Sequence, residues 1–157
     1  MKTASAAVAG AGDATSGAFD VRLATRADDA DLRALLASVP MPGAVALRFA
    51  REPDYFLGAT VMGDPCDVVV ARRRADGTLA GVVCRAQRRA FVNGVETDLG
   101  YVGQIRIAEG FRGRGLLTRG ARALRALTPP GQLAFGVIAR DNPRAAGALA
   151  GRRLPAG

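Results

Sequence analysis

Along most of this chain hydrophobic and polar residues alternate in short runs, broken by stretches with the longer period of a helix. Phe19, Val21 and Leu23 alternate and predict a first strand. Thr25 stands three residues before Asp28 as a helix-capping pair, and Asp28, Asp29 and Asp31 put negative charge in the early turns of the helix that follows. Its buried stripe is predicted as Leu32, Leu35, Leu36 and Val39. Pro40, Pro42 and Gly43 end that helix, Val45, Leu47 and Phe49 predict a short strand, and Glu52 and Pro53 open a second helix with Phe56, Ala59 and Met62 at helical spacing. Val68 to Ala71 and Leu79 to Ala86 predict antiparallel strands about an Asp76-Gly77-Thr78 turn, and Asn93-Gly94 marks a second tight hairpin. The strand from Val95 runs through Gly100 and Gly103, and glycines inside a strand mark a bulge or the close approach of another group.

The most informative stretch follows. Ile105 and Ile107 alternate as the end of a strand, Gly110, Gly113 and Gly115 break the pattern, and a helix begins at Leu116. Leu117, Ala121, Leu124 and Leu127 are predicted as its buried face, with Thr118, Arg119, Arg122 and Arg125 turned away, and Thr128 to Gly131 end it. A glycine-rich turn entering a helix is a receptor for an anionic group, because the first helical N–H groups lack partners and sit at the positive end of the helix dipole. Gly113 and Gly115 let the backbone come close to an oxygen, while Arg112 and Arg114 add charge and forked donors, a combination suited to a pyrophosphate. A nucleotide-binding P-loop is excluded by Leu116 and Leu117, which stand where Lys and Ser or Thr are needed. A dinucleotide fingerprint fits poorly, since Thr118 replaces its third glycine and Leu133 to Val137 supply no acidic residue. Leu133 to Ala139 then predicts another strand, and Asp141, Asn142 and Pro143 predict a helix start.

Composition narrows the chemistry. A chain of 157 residues, 49% hydrophobic, is long enough for one domain with its own core. It has no histidine and only Cys66 and Cys84, so ordinary zinc patterns are absent and the cysteines read as reduced core thiols on neighbouring strands. The net charge of +8 invites a nucleic-acid reading, but Lys2 is the only lysine. Arginine together with abundant Ala and Gly points to compositional bias, and few aromatics are available for stacking on bases, so no nucleic-acid partner is expected. Residues 1–17 read as a disordered leader preceding a domain over 18–157. Their Ala-rich run, without Leu, Ile or Phe, makes a poor secretory signal, and no segment is long and apolar enough for a membrane span, so a cytoplasmic protein is expected.

The stretch from Phe111 to Leu117, FRGRGLL, resembles the acetyl-coenzyme A loop of the GNAT family of N-acetyltransferases: Arg112 and Gly115 match its pattern, and Leu117 stands where the family usually has a small residue. A narrower resemblance, to a bacterial subgroup of that family, extends over Pro53 to Phe56, the strand ending in Gln104 to Ile107, and Asp141 onward. The resemblance implies an α/β fold of the acyl-coenzyme A N-acyltransferase type, with a mostly antiparallel, splayed central sheet flanked by helices and its last strands missing from this chain. It implies acetyl-CoA as co-substrate and an amine as acceptor. Ile105, Arg106 and Ile107 would lend backbone groups to the pantetheine arm, Arg112, Gly113, Arg114, Gly115, Leu116 and Leu117 would hold the pyrophosphate, and Asn142 would contact the cofactor arm. The segment after the first helix lines the acceptor site in the family, making Tyr55 and Phe56 candidate substrate contacts, with core roles the alternative for both.

In this family the amine attacks the thioester directly. The nearest ionisable groups to the expected base position are Asp98 and Tyr101, the candidate catalytic residues, for which ordinary hairpin and core roles are the alternatives. The tyrosine that many members carry after the Asn142 position is absent. Two other functions stay open: an acyl-CoA sensor, or inert half of a larger protein, that binds without turnover, and an arginine-rich nucleic-acid binder. A homodimer or a separate C-terminal half would complete an acceptor side left open.

Overall fold

The computed structural model describes residues 16–39, 49–138 and 142–149. Ser16–Ala18 form a short turn leading into β1 (Phe19–Leu23), and the rest of the expected leader lies outside the described residues. After a single helical turn at Arg26–Asp28 come α1 (Asp29–Ser38), α2 (Tyr55–Thr60), β2 (Cys66–Arg73), β3 (Leu79–Val92), β4 (Val95–Ile107), α3 (Leu116–Leu127), β5 (Ala134–Phe135) and α4 (Pro143–Leu149). The strands form one sheet in the order β1-β2-β3-β4-β5, antiparallel throughout except for the parallel β4–β5 pair.

The sheet is covered on both faces, which is why β2 and β3 read as nearly continuous apolar runs. Val68, Val70, Val82, Cys84 and Ala86 point to one side, into a core with Leu32, Leu35 and Leu36 of α1 and Tyr55 and Ala59 of α2. Val69 and Val83 point to the other, against Ala123 and Leu124 of α3, while Ala71 and Ala80 meet Leu116, Phe19 and Phe111. Alternating side chains thus feed two cores from each strand.

Several expectations shift in detail. Val45 and Leu47 lie outside the described residues, and Phe49 is in no strand. The second helix begins at Tyr55, because the Asp54 carboxylate accepts the Leu57 N–H (2.9 Å) and so caps it there. In α3 the buried stripe is Leu116, Gly120, Ala123 and Leu124, and Ala121 is exposed. The helix rests on the sheet through Gly120, where an added Cβ would lie 3.0 Å from the Val83 side chain; that close approach rotates Leu117 and Ala121 toward the edge of the contact. The strand expected over Leu133 to Ala139 is reduced to Ala134–Phe135, for a reason that lies in β4 and is given below.

One ion cluster ties α1 to the sheet. Asp28 is buried, and its carboxylate accepts from Arg22 (2.8 Å), Arg72 (2.8 Å) and the Thr25 N–H (2.7 Å). Burial alone would raise its pKa; the hydrogen bonds from Arg22, Thr25 and Arg72 outweigh it and hold the carboxyl well below the usual carboxylate range. A depressed folded-state pKa gives stability that is present above the unfolded value, near ~3.9, and is lost as the pH falls through the folded one. Asp28→Asn, which leaves two arginines facing a neutral amide, is expected to cost about 3 kcal/mol at neutral pH in denaturant unfolding and to flatten the loss of stability below about pH 4.

Candidate functional site

Strand β4 carries an irregularity on which the site is built. Val82 pairs with Arg106 and Cys84 with Gly103, so three steps along β4 oppose two along β3. The extra residue falls at Gln104–Ile105, and Gln104 sits in the left-handed region at φ 53°. Both glycines flagged in this strand have close neighbours: an added Cβ at Gly103 would lie 3.1 Å from the Tyr101 ring and 3.2 Å from the Met62 methyl, and one at Gly100 would lie 3.2 Å from Arg85 Nε. Beyond the bulge β4 bends away from its outer neighbour. Strand β5 pairs with it only at Gly100 and Tyr101. Gly136, just past β5, still comes up against the Val102 carbonyl, and from Gly103 to Ile107 this edge has no strand partner among the described residues; the bulge interrupts the ladder and so shortens β5.

The glycine turn lies at the end of the same strand. Gly113 and Gly115 have φ of 76° and 71°, conformations that L side chains rarely adopt, and an added Cβ at either would touch no protein atom, so the space above the loop is open. Gly115 is the N-cap of α3 and offers no side-chain cap. The leading N–H groups of a twelve-residue helix therefore face this open space together with Arg112 and Arg114. Arg112 is exposed and 3.9 Å from Glu109, and the Arg114 guanidinium lies 5.8 Å from the centre of the Phe111 ring.

Between sheet and α3 runs a narrow cleft with an almost wholly apolar lining. Ile105 and Ile107 form its β4 wall, Leu116, Leu117 and Ala121 its helical wall, and Leu149 of α4 its far side. Asn142 caps α4, its Oδ1 accepting the Ala145 N–H at 3.0 Å. Asp141 lies outside the described residues.

The other candidates fall on different surroundings. Asp98 is exposed in the β3–β4 hairpin opposite Arg89, 3.8 Å from that guanidinium. Tyr101 stands at the last paired position before β4 and β5 part, its ring 5.2 Å from Phe135 and 5.9 Å from the Arg88 guanidinium. Tyr55 is wholly buried beside α1, and its hydroxyl makes no hydrogen bond. Phe56 is half-buried, edge-on to Tyr55 at 5.7 Å and 5.1 Å beneath the Arg26 guanidinium. Cys84 is buried and Cys66 partly exposed, both as free thiols. The hydrogen bond with Cys66 and then burial push the Cys84 thiol above its ordinary range. Among the described residues no three His, Cys, Asp or Glu side chains gather as a metal would require, and no helix is long and apolar enough to cross a membrane.

Sequence reasoning missed two side chains at this centre. The resemblance implies only a backbone role for Arg106, and no sequence motif marks Arg51, yet both guanidinium groups are buried near Tyr55. A strict alternation reading turns a polar residue between two isoleucines toward solvent. Here the face opposite Ile105 and Ile107 is covered by α1 and α2.

This arrangement, a bulged central strand parting from its neighbour beside a glycine turn at a helix N-terminus, is the fold of the GNAT acyl-CoA N-acyltransferases. Among solved structures the chain is similar to the ribosomal-protein-alanine N-acetyltransferase of Brucella melitensis biovar Abortus (24% identity, TM-score 0.61, covering 88% of this chain and 93% of that one). It is also similar to the aminoglycoside 6'-N-acetyltransferase AAC(6')-Ih of Acinetobacter baumannii (14%, 0.63, 88% and 93%). A third similar structure is AAC(6')-Iy in complex with the bisubstrate analogue CoA-S-monomethyl-acetylneamine (19%, 0.63, 88% and 91%). No protein-family model and no curated protein matches the sequence.

The unpartnered Tyr55 hydroxyl gives a direct test of this interior. Removing a buried polar group that has no partner relieves a desolvation cost, so Tyr55→Phe is expected to leave stability unchanged or raise it by about 1 kcal/mol in denaturant unfolding; a loss of that size would mean the hydroxyl is hydrogen-bonded in solution.

Proposed function

We propose that the protein is an acetyl-CoA-dependent N-acetyltransferase that transfers the acetyl group directly to an amine. The observation that carries this is the continuity of three features along one strand: the unpaired edge of β4 from Gly103 to Ile107, the apolar cleft beside Ile105 and Ile107, and the open glycine turn at Gly113 and Gly115. Their polarity runs in the order a CoA ester needs. The N-terminus of α3 with Arg112 and Arg114 suits a pyrophosphate, the apolar walls suit a pantetheine chain, and the exposed strand edge offers backbone donors and acceptors to its amides. When bound, the coenzyme supplies an acyl group activated as a thioester.

What this chain adds is orientation and polarisation. The N–H groups around the bulge at Gln104 and Ile105 are fixed donors for a carbonyl oxygen that gains charge during transfer. Covalent relay through the protein has little support: there is no histidine in the sequence, and the Cys84 thiol is buried with its pKa raised. Tyr101, at the parting of β4 and β5, is the better placed of the two proton-transfer candidates, since Asp98 lies farther out in the hairpin against Arg89.

Thermal unfolding with and without acetyl-CoA tests the cofactor site. At about 100-fold above its dissociation constant the ligand is expected to add about 2.7 kcal/mol, raising the melting temperature. Gly115→Glu, which sets a carboxylate where the phosphates would lie, is expected to abolish that shift; an unmoved melting temperature in the folded wild type would overturn the proposal. Release of thiol with a panel of amines then separates an enzyme from a sensor that binds and does not turn over.

A further inference from the structure

We propose that Arg51 and Arg106 form an oxyanion subsite on the acceptor side of β4, so that the acceptor amine also bears a compact carboxylate or phosphate. This rests on the acetyltransferase reading for the acceptor's role, though the subsite itself stands on the following geometry.

Both guanidinium groups are sequestered, Arg51 being 9% and Arg106 8% exposed. Other arginines of the sheet that go inside take a carboxylate with them: Arg85, 3% exposed, meets Asp67 at 3.3 Å and also bonds Gln132, and Arg72 meets both Asp28 and Asp31. Arg51 and Arg106 have none among the described residues. Among the described residues Arg51 donates to the Met62 sulfur at 3.4 Å, a weak acceptor, and Arg106 to the carbonyl of its own neighbour Ile105 at 2.8 Å, while the Arg106 Nε is buried and unpaired. Eleven carboxylates are in arginine ion pairs elsewhere, Asp64 pairs with neither arginine, and residues 40–48, which precede Phe49, contain no Asp or Glu. Buried charges without counterions are rare in folded proteins unless a ligand supplies one.

Both groups face one neighbourhood. The Met62 side chain that meets Arg51 also meets the Cys84 thiol (4.0 Å) and packs on Gly103 of β4, and both arginines lie close enough to Tyr55, whose hydroxyl is buried without a partner, to act on it electrostatically. The Phe49 ring, 39% exposed, lies 5.9 Å from the Arg106 guanidinium, so the protein surface is close to this pair. Two forked cations that can only donate, beside a phenolic O–H free to donate, are what an oxyanion's lone pairs require, and a second cation would be repelled there. Arg106 also contributes to the lining of the apolar cleft, and it stands one residue from the Gln104–Ile105 bulge. An acceptor anchored there by its anion holds its amine near the bulge.

The test is equilibrium binding to the full chain of N-acetylglycine, phosphoethanolamine and, as the controls without an anion, N-acetylglycinamide and ethanolamine, for the wild type, Arg106→Met and Arg51→Met. One of the two anionic probes is expected to bind in preference to its control and to lose ~10- to 100-fold in affinity in each variant; the tighter probe identifies carboxylate or phosphate. Melting of the ligand-free variants is expected at or above the wild-type temperature, because each loses a buried charge and no ion pair. Anionic probes that bind no better than their controls, or that bind both variants as they bind the wild type, would overturn the subsite. Acetyl-CoA stabilisation measured on the same samples keeps the claims apart: oxyanion binding without it sinks the acetyltransferase proposal alone, and stabilisation without oxyanion binding sinks the subsite alone.

Discussion

A peptide N–H or C=O inside a protein must have a partner, and among the described residues no strand supplies one to the outer edge of β4 from Gly103 to Ile107. The left-handed backbone at Gln104 is the device that creates the exception. An ordinary strand would continue its ladder with β5 along the expected run from Leu133; the bulge turns β4 out of register with any such neighbour after Tyr101. Strain at one residue, of order 1–3 kcal/mol, thereby keeps several backbone groups available to a ligand. Cleft, glycine turn and acceptor face all take their positions from this one strand.

The distribution of charge follows a second division across the sheet. At the β1 end, arginines and carboxylates are matched: Asp28, Asp29 and Asp31 hold Arg22, Arg33 and Arg72, and Asp20 lies near Arg22 and Arg74. Beside the bulge the pattern changes. Arg112 has Glu109 at 3.9 Å and Arg114 lies against Phe111 at the open turn, while Arg51 and Arg106 are enclosed with sulfur, aromatic rings and a phenol. Matched charges fix α1 to the sheet, whereas the two enclosed guanidinium groups near the bulge have no carboxylate among the described residues.

Much of the scaffold was legible because its signals are local. Asp76-Gly77 and Asn93-Gly94 specify the two hairpins, with Gly77, Asn93 and Gly94 all at positive φ, and the Thr25–Asp28 pair specifies the entry to α1. The glycine turn was legible for the same reason, since Gly113 and Gly115 must be glycines where they stand. What escaped depends on packing between distant elements. The face of α3 is set by the contact of Gly120 with Val83, which no periodicity in the helix encodes. The shortness of β5 is set by a bend in a different strand. Burial of Arg106 is set by α1 and α2 covering its face, and alternation along β4 reads the same whether that face meets solvent or a second core.

Enclosing two guanidinium groups without counterions costs the fold several kcal/mol, which the apolar contacts of α1 and α2 with the sheet must offset. The cost has a chemical counterpart. An amine can attack a carbonyl only when unprotonated, and the described residues near the bulge offer no carboxylate to take its proton. A cationic environment acts on the same equilibrium from the other direction: a nearby positive charge disfavours the ammonium form, just as burial lowers the pKa of Arg106 itself. If an oxyanion of the acceptor neutralises one guanidinium, the other still bears on the amine. Anchoring the acceptor and favouring its nucleophilic form would then be two consequences of the same pair of side chains, and a dedicated base on β4 would be less necessary than its absence first implies.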